Sequence, residues 1–419
     1  MRPPAPPIHK VEELKLRHPQ LYHLSNGIPV YDINMGSLPV VKIEIVFFAG
    51  RPFEKKQLAA RTTASLLREG SANYSSAEIA NAFDFYGGSL SIPVSMDTSN
   101  VLIYSLTRHL DKLLPIVADV LTRPSFPQKE LDLYVARAKK RLQLDLSKND
   151  VIAYRTITEK IFGEDHPYGY NSLPETYEAL SREDLISHFE ENYTAGNCMV
   201  FVSGDTGELL RNKLEQYLGR IPRGPQSEAF LPSVNAVPEK FKIERPGTVQ
   251  SAIRIGRQLF NRKHPDYNGM YVLNTILGGY FGSRLMENIR EDKGYTYNIY
   301  STHDAFFYDG YFYVGTDVGK EFLEPTIKEI HFEMERLQSE LVGAGELEMV
   351  RNYLLGNLLT NLDGPFNVAE VVKTFILEGM SLDDFDKLIQ TISSIGAEEI
   401  RTLAEKYLSP KDMIEVVVG

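Results

Sequence analysis

With one cysteine in 419 residues, Cys198, the chain has no partner for an internal disulfide and no thiolate cluster for a metal. The fold must therefore rest on packing. No apolar run approaches the roughly 20 residues that a membrane helix needs, which excludes such a span. Positive charge is in deficit: the formal net charge is −11, the opposite of the clustered basic face that a nucleic-acid backbone binder wants. A short basic patch at Arg137 to Arg141 reads as a solvated helix face. The nine histidines form no HxxxH pair, and neither a GxSxG elbow nor a P-loop is present. The first twenty residues carry prolines where a secretory signal would carry an apolar core, so they read as an extended arm. Together with the lone thiol, this points to the cytoplasm.

The length suits two cores of about 200 residues each. Asn26-Gly27 marks a tight hairpin turn before the β-branched residues 28–33. Residues 40–48 alternate as a strand, with Val41, Ile43, Ile45 and Phe47 on one face and Lys42 and Glu44 on the other. Helices are predicted at 57–69, at 76–86 with Ser75 or Ser76 as N-cap and Gly87-Gly88 as stop, and at 109–122, 128–148 and 182–193. Strands are predicted at 89–94, 100–107 and 198–202. Four prolines and Gly224 interrupt residues 222–238, which have no periodicity. This divides the chain into residues 1–222, a linker at 223–238, and residues 239–419.

The second half repeats the first in outline. At an offset of 214, Ile186, Phe189, Tyr193, Met199 and Val202 face Ile400, Leu403, Tyr407, Met413 and Val416. Earlier in each half the offset drifts, so that Gly87-Gly88 meets Gly294. A duplicated α+β domain is the simplest account.

The richest stretch is 277–300, LGGYFGSRLMENIREDKGYTYNIY. Taken with LSNGIPV, FFAGRPFE, LLREGSANYSS, FYGGSL and HPYG, in that order and spacing, it resembles the insulinase or pitrilysin-like zinc peptidases, which include mitochondrial processing peptidase. The resemblance implies two homologous domains, each a mostly antiparallel sheet packed with helices, closing as a clamshell over a peptide. The family's catalytic helix carries HxxEH, in which two histidines one turn apart hold zinc and the glutamate activates the metal-bound water. Here that place reads Arg61-Thr62-Thr63-Ala64-Ser65. Both histidines and the base are missing, and the third ligand's place falls on Gln143 or Leu144, with Asp145 one step away. No metal is expected in this chain. Arg61 has two readings, a cation filling the vacated space or a surface arginine on an amphipathic helix.

The resemblance also implies a substrate-holding pair. Members use an arginine and a tyrosine, placed as Arg290 and Tyr297 are here, to hydrogen-bond the substrate backbone. The expected geometry is a helix over 284–292 ending at Gly294, with Tyr297 on the following strand. Gly278, Gly279 and Gly282 have two readings, a flexible loop with free N–H groups or a helix N-cap turn, which needs the same residues. The resulting expectation is a non-catalytic subunit whose homologous, HxxEH-bearing partner carries the zinc and shares a peptide substrate. The alternative is a peptide-binding or structural scaffold that takes no part in proteolysis.

Overall fold

The computed structural model describes residues 14–36 and 38–419. The amino-terminal arm, up to residue 13, lies outside them. The chain divides into two compact units: residues 18–237 with 364–373, and residues 238–363 with 374–419, joined by the described residues before 18. No helix among the described residues is long and apolar enough to cross a membrane.

The first unit is built on strands β1 (Gln20–His23), β2 (Pro29–Asn34), β3 (Val40–Phe47), β4 (Ser89–Ser91), β5 (Ser99–Leu106) and β6 (Cys198–Gly204). Their order across the sheet is β1-β2-β6-β3-β5-β4. The β2–β6 pair is parallel and the others are antiparallel. The second unit holds β7 (Lys240–Ile243), β8 (Gln250–Leu259), β9 (Ile299–Ala305), β10 (Gly310–Gly319) and β11 (Ile414–Val418), in the order β7-β11-β8-β10-β9. Here β7–β11 is the parallel pair. Apart from β1, the two orders and pairing directions coincide strand for strand, which is the duplication read as a two-layer α+β fold.

Fourteen α-helices flank these sheets among the described residues. The first unit contributes α1 (Ala59–Leu66), α2 (Ser76–Phe85), α3 (Leu110–Thr122), α4 (Gln128–Asp145), α5 (Asn149–Phe162), α6 (Pro174–Glu178), α7 (Arg182–Asn192) and α8 (Glu208–Leu218). After them come α9 (Tyr267–Asn274), α10 (Leu323–Ser339), α11 (Ala344–Asn361), α12 (Gly364–Leu377), α13 (Asp383–Ser394) and α14 (Ala397–Tyr407). Ser75 opens α2 with a full capping box: its hydroxyl accepts from the Glu78 N–H while the Glu78 carboxylate accepts from the Ser75 N–H. Gly87, at φ +64, ends the same helix. The helix predicted over 128–148 stops at Asp145, because Lys148 turns extended before α5. Sequence reading passed over α5, whose buried Ala153, Ile157 and Ile161 recur every fourth residue.

The alternation of β3 does not leave one face wet. Lys42 and Glu44 are 2% and 3% exposed, because residues 364–373 cover their side of the sheet. Lys42 pairs with Glu44 at 3.0 Å and with Glu370, while Lys373 reaches Glu44 at 2.7 Å and Glu370 at 2.6 Å. Asn100 adds a hydrogen bond to Glu44 at 2.7 Å. A buried charge is tolerated only when paired and hydrogen-bonded, and this network meets that condition.

Candidate functional site

The resemblance gives the place of a zinc helix to α1, which packs against α7 and α4. It starts without a serine or aspartate cap. Instead the Glu54 carboxylate accepts the Ala60 N–H at 3.0 Å and the Tyr170 hydroxyl, and Leu58 stands in the left-handed region at φ +71. Burial pushes the Glu54 carboxyl above its usual range. Arg51 lies 4.2 Å over the Tyr170 ring and donates to the Pro167 and Tyr170 carbonyls at 3.2 Å. The helix start is thus held by Glu54, which Tyr170 from a distant loop holds in turn.

On this helix Arg61 is exposed, and among the described residues its guanidinium has no hydrogen bond or ion pair. Ala64 is fully buried. The Ser65 hydroxyl donates back to the Arg61 carbonyl at 2.8 Å, as serines inside helices do. On α4, Gln143 and Leu144 face outward, and Asp145 is engaged by Arg141 at 2.9 Å and Lys148 at 3.5 Å. A guanidinium, a methyl group and a back-bonded hydroxyl do not fit zinc. Among the described residues no group of three or more His, Cys, Asp or Glu side chains could hold a metal ion.

His166 and Cys198 have structural places. His166 is buried in its turn, where its Nδ1 accepts the Tyr168 N–H at 3.1 Å and its ring stacks on Phe162. Cys198 is buried in β6, and burial pushes its thiol well up, away from the reactive thiolate.

In the second unit, α9 runs straight into a π-helical turn, Thr275–Gly279, and after a short turn a second π-helix spans Met286–Asp292. The second takes the place of the helix expected over 284–292. Gly278 and Gly279 close the first and do not form a flexible loop. A Cβ on Gly278 would stand 2.5 Å from the Ser301 backbone nitrogen, so glycine is what lets this helix end lie against β9. Only Gly282 lies in the turn, together with Tyr280 and Phe281.

Arg290 sits in the last turn of the second π-helix, 4.6 Å over the Phe281 ring and 3.5 Å from Glu291. Gly294, at φ +66, then reverses the chain. Tyr297 is not on a strand, since β9 begins only at Ile299. Threonine side chains hold the intervening loop: Thr296 donates to the Asp317 carbonyl at 2.8 Å, and Thr316 donates to the Asn298 carbonyl at 2.9 Å. The result is a tyrosine 91% exposed on a tethered loop. No hydrogen bond or ring contact among the described residues joins it to Arg290.

Sequence reading could not identify the sheet edges, which in the first unit are β1 and β4; the latter borders a groove. The central carbonyl of β4, that of Leu90, accepts from Arg68 at 3.3 Å. A groove of about 260 Å³ lies alongside, lined by Ile79, Phe83 and Leu90. The signal was present only as the short alternation of Ser89, Leu90 and Ser91, and nothing in the sequence singles out Arg68.

A family model described as the peptidase M16 inactive domain matches residues 179–354. The uncharacterized zinc protease YmxG of Bacillus subtilis (strain 168) is 22% identical over 394 residues, spanning 93% of this chain and 95% of that protein. The non-peptidase homolog YmxG of Helicobacter pylori is 23% identical over 414 residues, spanning 94% and 92%. Among solved structures, a peptidase M16 inactive domain from Pseudomonas fluorescens superposes with a TM-score of 0.88 at 21% identity, over 96% of this chain and 98% of that one. A chain of complex III2 from Candida albicans superposes at 0.76 with 14% identity, over 96% and 95%. The duplicated sheet order, the lack of zinc ligands at Arg61, Ala64 and Ser65 and these likenesses agree in what the chain is similar to: M16-like peptidase homologues of the inactive kind.

Proposed function

We propose that this chain is the non-catalytic, substrate-binding subunit of a two-chain zinc peptidase, with the zinc and its HxxEH helix on a homologous partner. The observation that carries the reading is the contrast between two segments. At Arg61, Ala64 and Ser65 no ligand chemistry remains. At Arg290 and Tyr297 two hydrogen-bond donors stand on an elaborated, rigidly tied segment. π-Helical turns occur often at functional sites, which favours a use for this segment. A guanidinium fork and a phenol suit peptide carbonyls and a developing oxyanion. The open β4 edge suits an extended peptide pairing as an added strand, for which Arg68 would have to leave Leu90. A cytoplasmic setting accords with the buried thiol.

Purified alone, the chain should hold no stoichiometric zinc and cleave no peptide. Co-purification should bring down a chain with HxxEH, and the pair should show chelator-sensitive cleavage. In that complex Arg290→Ala or Tyr297→Phe should lower kcat about 100-fold, the scale of losing one oxyanion-type donor, while assembly persists. Stoichiometric zinc in the lone chain, or unchanged cleavage in both variants, overturns the proposal. The second reading, a structural scaffold, draws on the shared fold with a complex III2 chain. It would be supported by a stable assembly that contains no metallopeptidase partner.

A further inference from the structure

Arg290 and Tyr297 are presented in different ways. Tyr297 stands on a loop tied down by threonine bonds. Arg290 forms no hydrogen bond among the described residues, and its one ion pair there is with the adjacent Glu291, 3.5 Å from Nε. Both Nη atoms are thus without an acceptor among the described residues, and a long arginine side chain left to itself spreads over many rotamers. What holds this one is a ring: the guanidinium carbon lies 4.6 Å over Phe281. An aromatic face attracts a guanidinium through its quadrupole and engages it with no oxygen acceptor, so the N–H donors stay available.

Phe281 is itself fixed by its neighbours. Tyr280 lies against α11, with its ring 4.8 Å from that of Tyr353 and its hydroxyl 3.5 Å from the Met349 sulfur. Gly282 makes that seat possible, since a Cβ there would stand 2.8 Å from the Tyr280 ring. Upstream, Gly278 sets the end of the first π-helix against β9. The turn at 280–282 is therefore pinned from two sides, and Phe281 is the residue it presents, 62% exposed with Arg290 against its face. A single exposed aromatic ordinarily needs no explanation. This one covers the side chain on which the proposed substrate contact depends.

We infer that Phe281 is a positioning residue for Arg290: its ring holds the guanidinium beside the turn and spares the N–H fork for a peptide carbonyl. The inference rests on the substrate-holding role proposed for Arg290. A carboxylate in the place of Phe281 would hold the cation but would occupy the fork. An aliphatic side chain would leave the fork free but would not hold it. The ring meets both demands. Glu291 is largely exposed and reaches only Nε, so it does not compete for the two Nη atoms.

The test has two arms. In the whole chain alone, carrying isotope-labelled arginine, the ring current of Phe281 should displace the Arg290 Hδ resonances, which are assigned by their loss in Arg290→Lys. Phe281→Leu should return them to free-arginine values, and Phe281→Tyr should leave them displaced. In the complex with the HxxEH-bearing partner, Phe281→Leu should lower kcat about fivefold, the scale of a surface cation–π contact, and Phe281→Tyr should restore it. In an Arg290→Ala background, Phe281→Leu should lower kcat no further, a result that a purely structural role for the ring would not produce. Unmoved resonances in Phe281→Leu, or an equal loss of kcat in both backgrounds, overturns the inference. Unchanged cleavage in Arg290→Ala overturns the substrate-holding reading beneath it as well, and displaced resonances would then show a ring contact without that use.

Discussion

The two sheets share strand order and pairing directions, yet their central strands treat buried charge in opposite ways. On β3, Lys42 and Glu44 are answered by Glu370, Lys373 and Asn100. On β8, Arg254 is as deeply buried, but its Nη1 meets only the Ile253 and Thr316 carbonyls, with Asp317 at 3.8 Å, and its Nε has no partner. The duplication has kept what the ladder enforces and has let side-chain chemistry diverge on either side of it. The same holds for the helices: α2 is a capped α-helix, while its counterpart before Gly294 is a π-helix bearing Arg290.

The largest expected effect tests that difference directly. Lys42→Ala leaves Lys373 as the one cation shared by Glu44 and Glu370 and should cost about 3 kcal/mol, the lower end of what breaking a buried ion pair costs. Arg254→Met, which removes an incompletely paired charge and keeps most of the volume, should change stability by less than about 1.5 kcal/mol. Urea denaturation of both variants checks this; equal losses would dissolve the contrast. The network also has a pH window. Burial opposes ionisation of Glu370, but Lys373 and Lys42 outweigh it and hold its carboxyl below the usual range. Its stabilisation is therefore present above the ordinary glutamate pKa and is lost as pH falls through the lowered folded value. Burial likewise opposes the charge on Lys42, but Glu44 and Glu370 outweigh it and raise its pKa. That contribution is complete below the ordinary lysine pKa and is lost as pH rises through the raised one.

Next in size is a feature the two units share. His188 in the first and His303 in the second are held neutral chiefly by burial, each with a pKa lowered to about 4. Their Nε2 atoms contact the Ala49 carbonyl at 3.2 Å and the Phe260 carbonyl at 2.8 Å. A lowered folded pKa means that the unfolded chain takes up the proton first. Stability is full above the ordinary histidine pKa near 6.5 and falls as pH drops towards 4, by up to about 3 kcal/mol for each residue. His188→Gln and His303→Gln should each flatten the acid limb of the stability curve, read by denaturant melts from pH 7 to about pH 4.5. Flattening by only one of them would mean that one histidine is charged in the native state.

How much of this was legible follows from where the information lies. Period-two and period-four patterns located β2, β3, β5, β6 and α2 to within a residue or two, because burial of one face writes itself into the residue order. The repeat was readable for the same reason. The covering of Lys42 and Glu44 was not, since residues 364–373 pack there from more than 300 positions away. The π-helices were also hidden: their residues have ordinary helix propensity, and the wider turn answers to packing against β9. Tyr297 reads from sequence as a strand residue because it follows directly on the chain reversal at Gly294. The threonine bonds that delay β9 to Ile299 are tertiary. The missing zinc ligands, by contrast, are fully stated by residue identity at Arg61, Ala64 and Ser65.

The smallest effect is also the cleanest test of duplication. Gly87 and Gly294 stand at φ +64 and +66, one helix end in each unit. A Cβ built on either meets nothing within 4 Å, so packing contributes nothing to the cost of substitution. Only the left-handed backbone remains, and Gly→Ala there should cost about 1 kcal/mol in each case. Thermal melts of Gly87→Ala and Gly294→Ala should therefore shift by similar, small amounts. A markedly larger loss at Gly294 would mean that the π-helix before it, and with it Arg290, depends on this turn in a way that α2 does not depend on Gly87. Equal losses would mean that the specialised segment keeps the ancestral helix stop unchanged and that its divergence lies wholly in the side chains and the wider helical turn upstream.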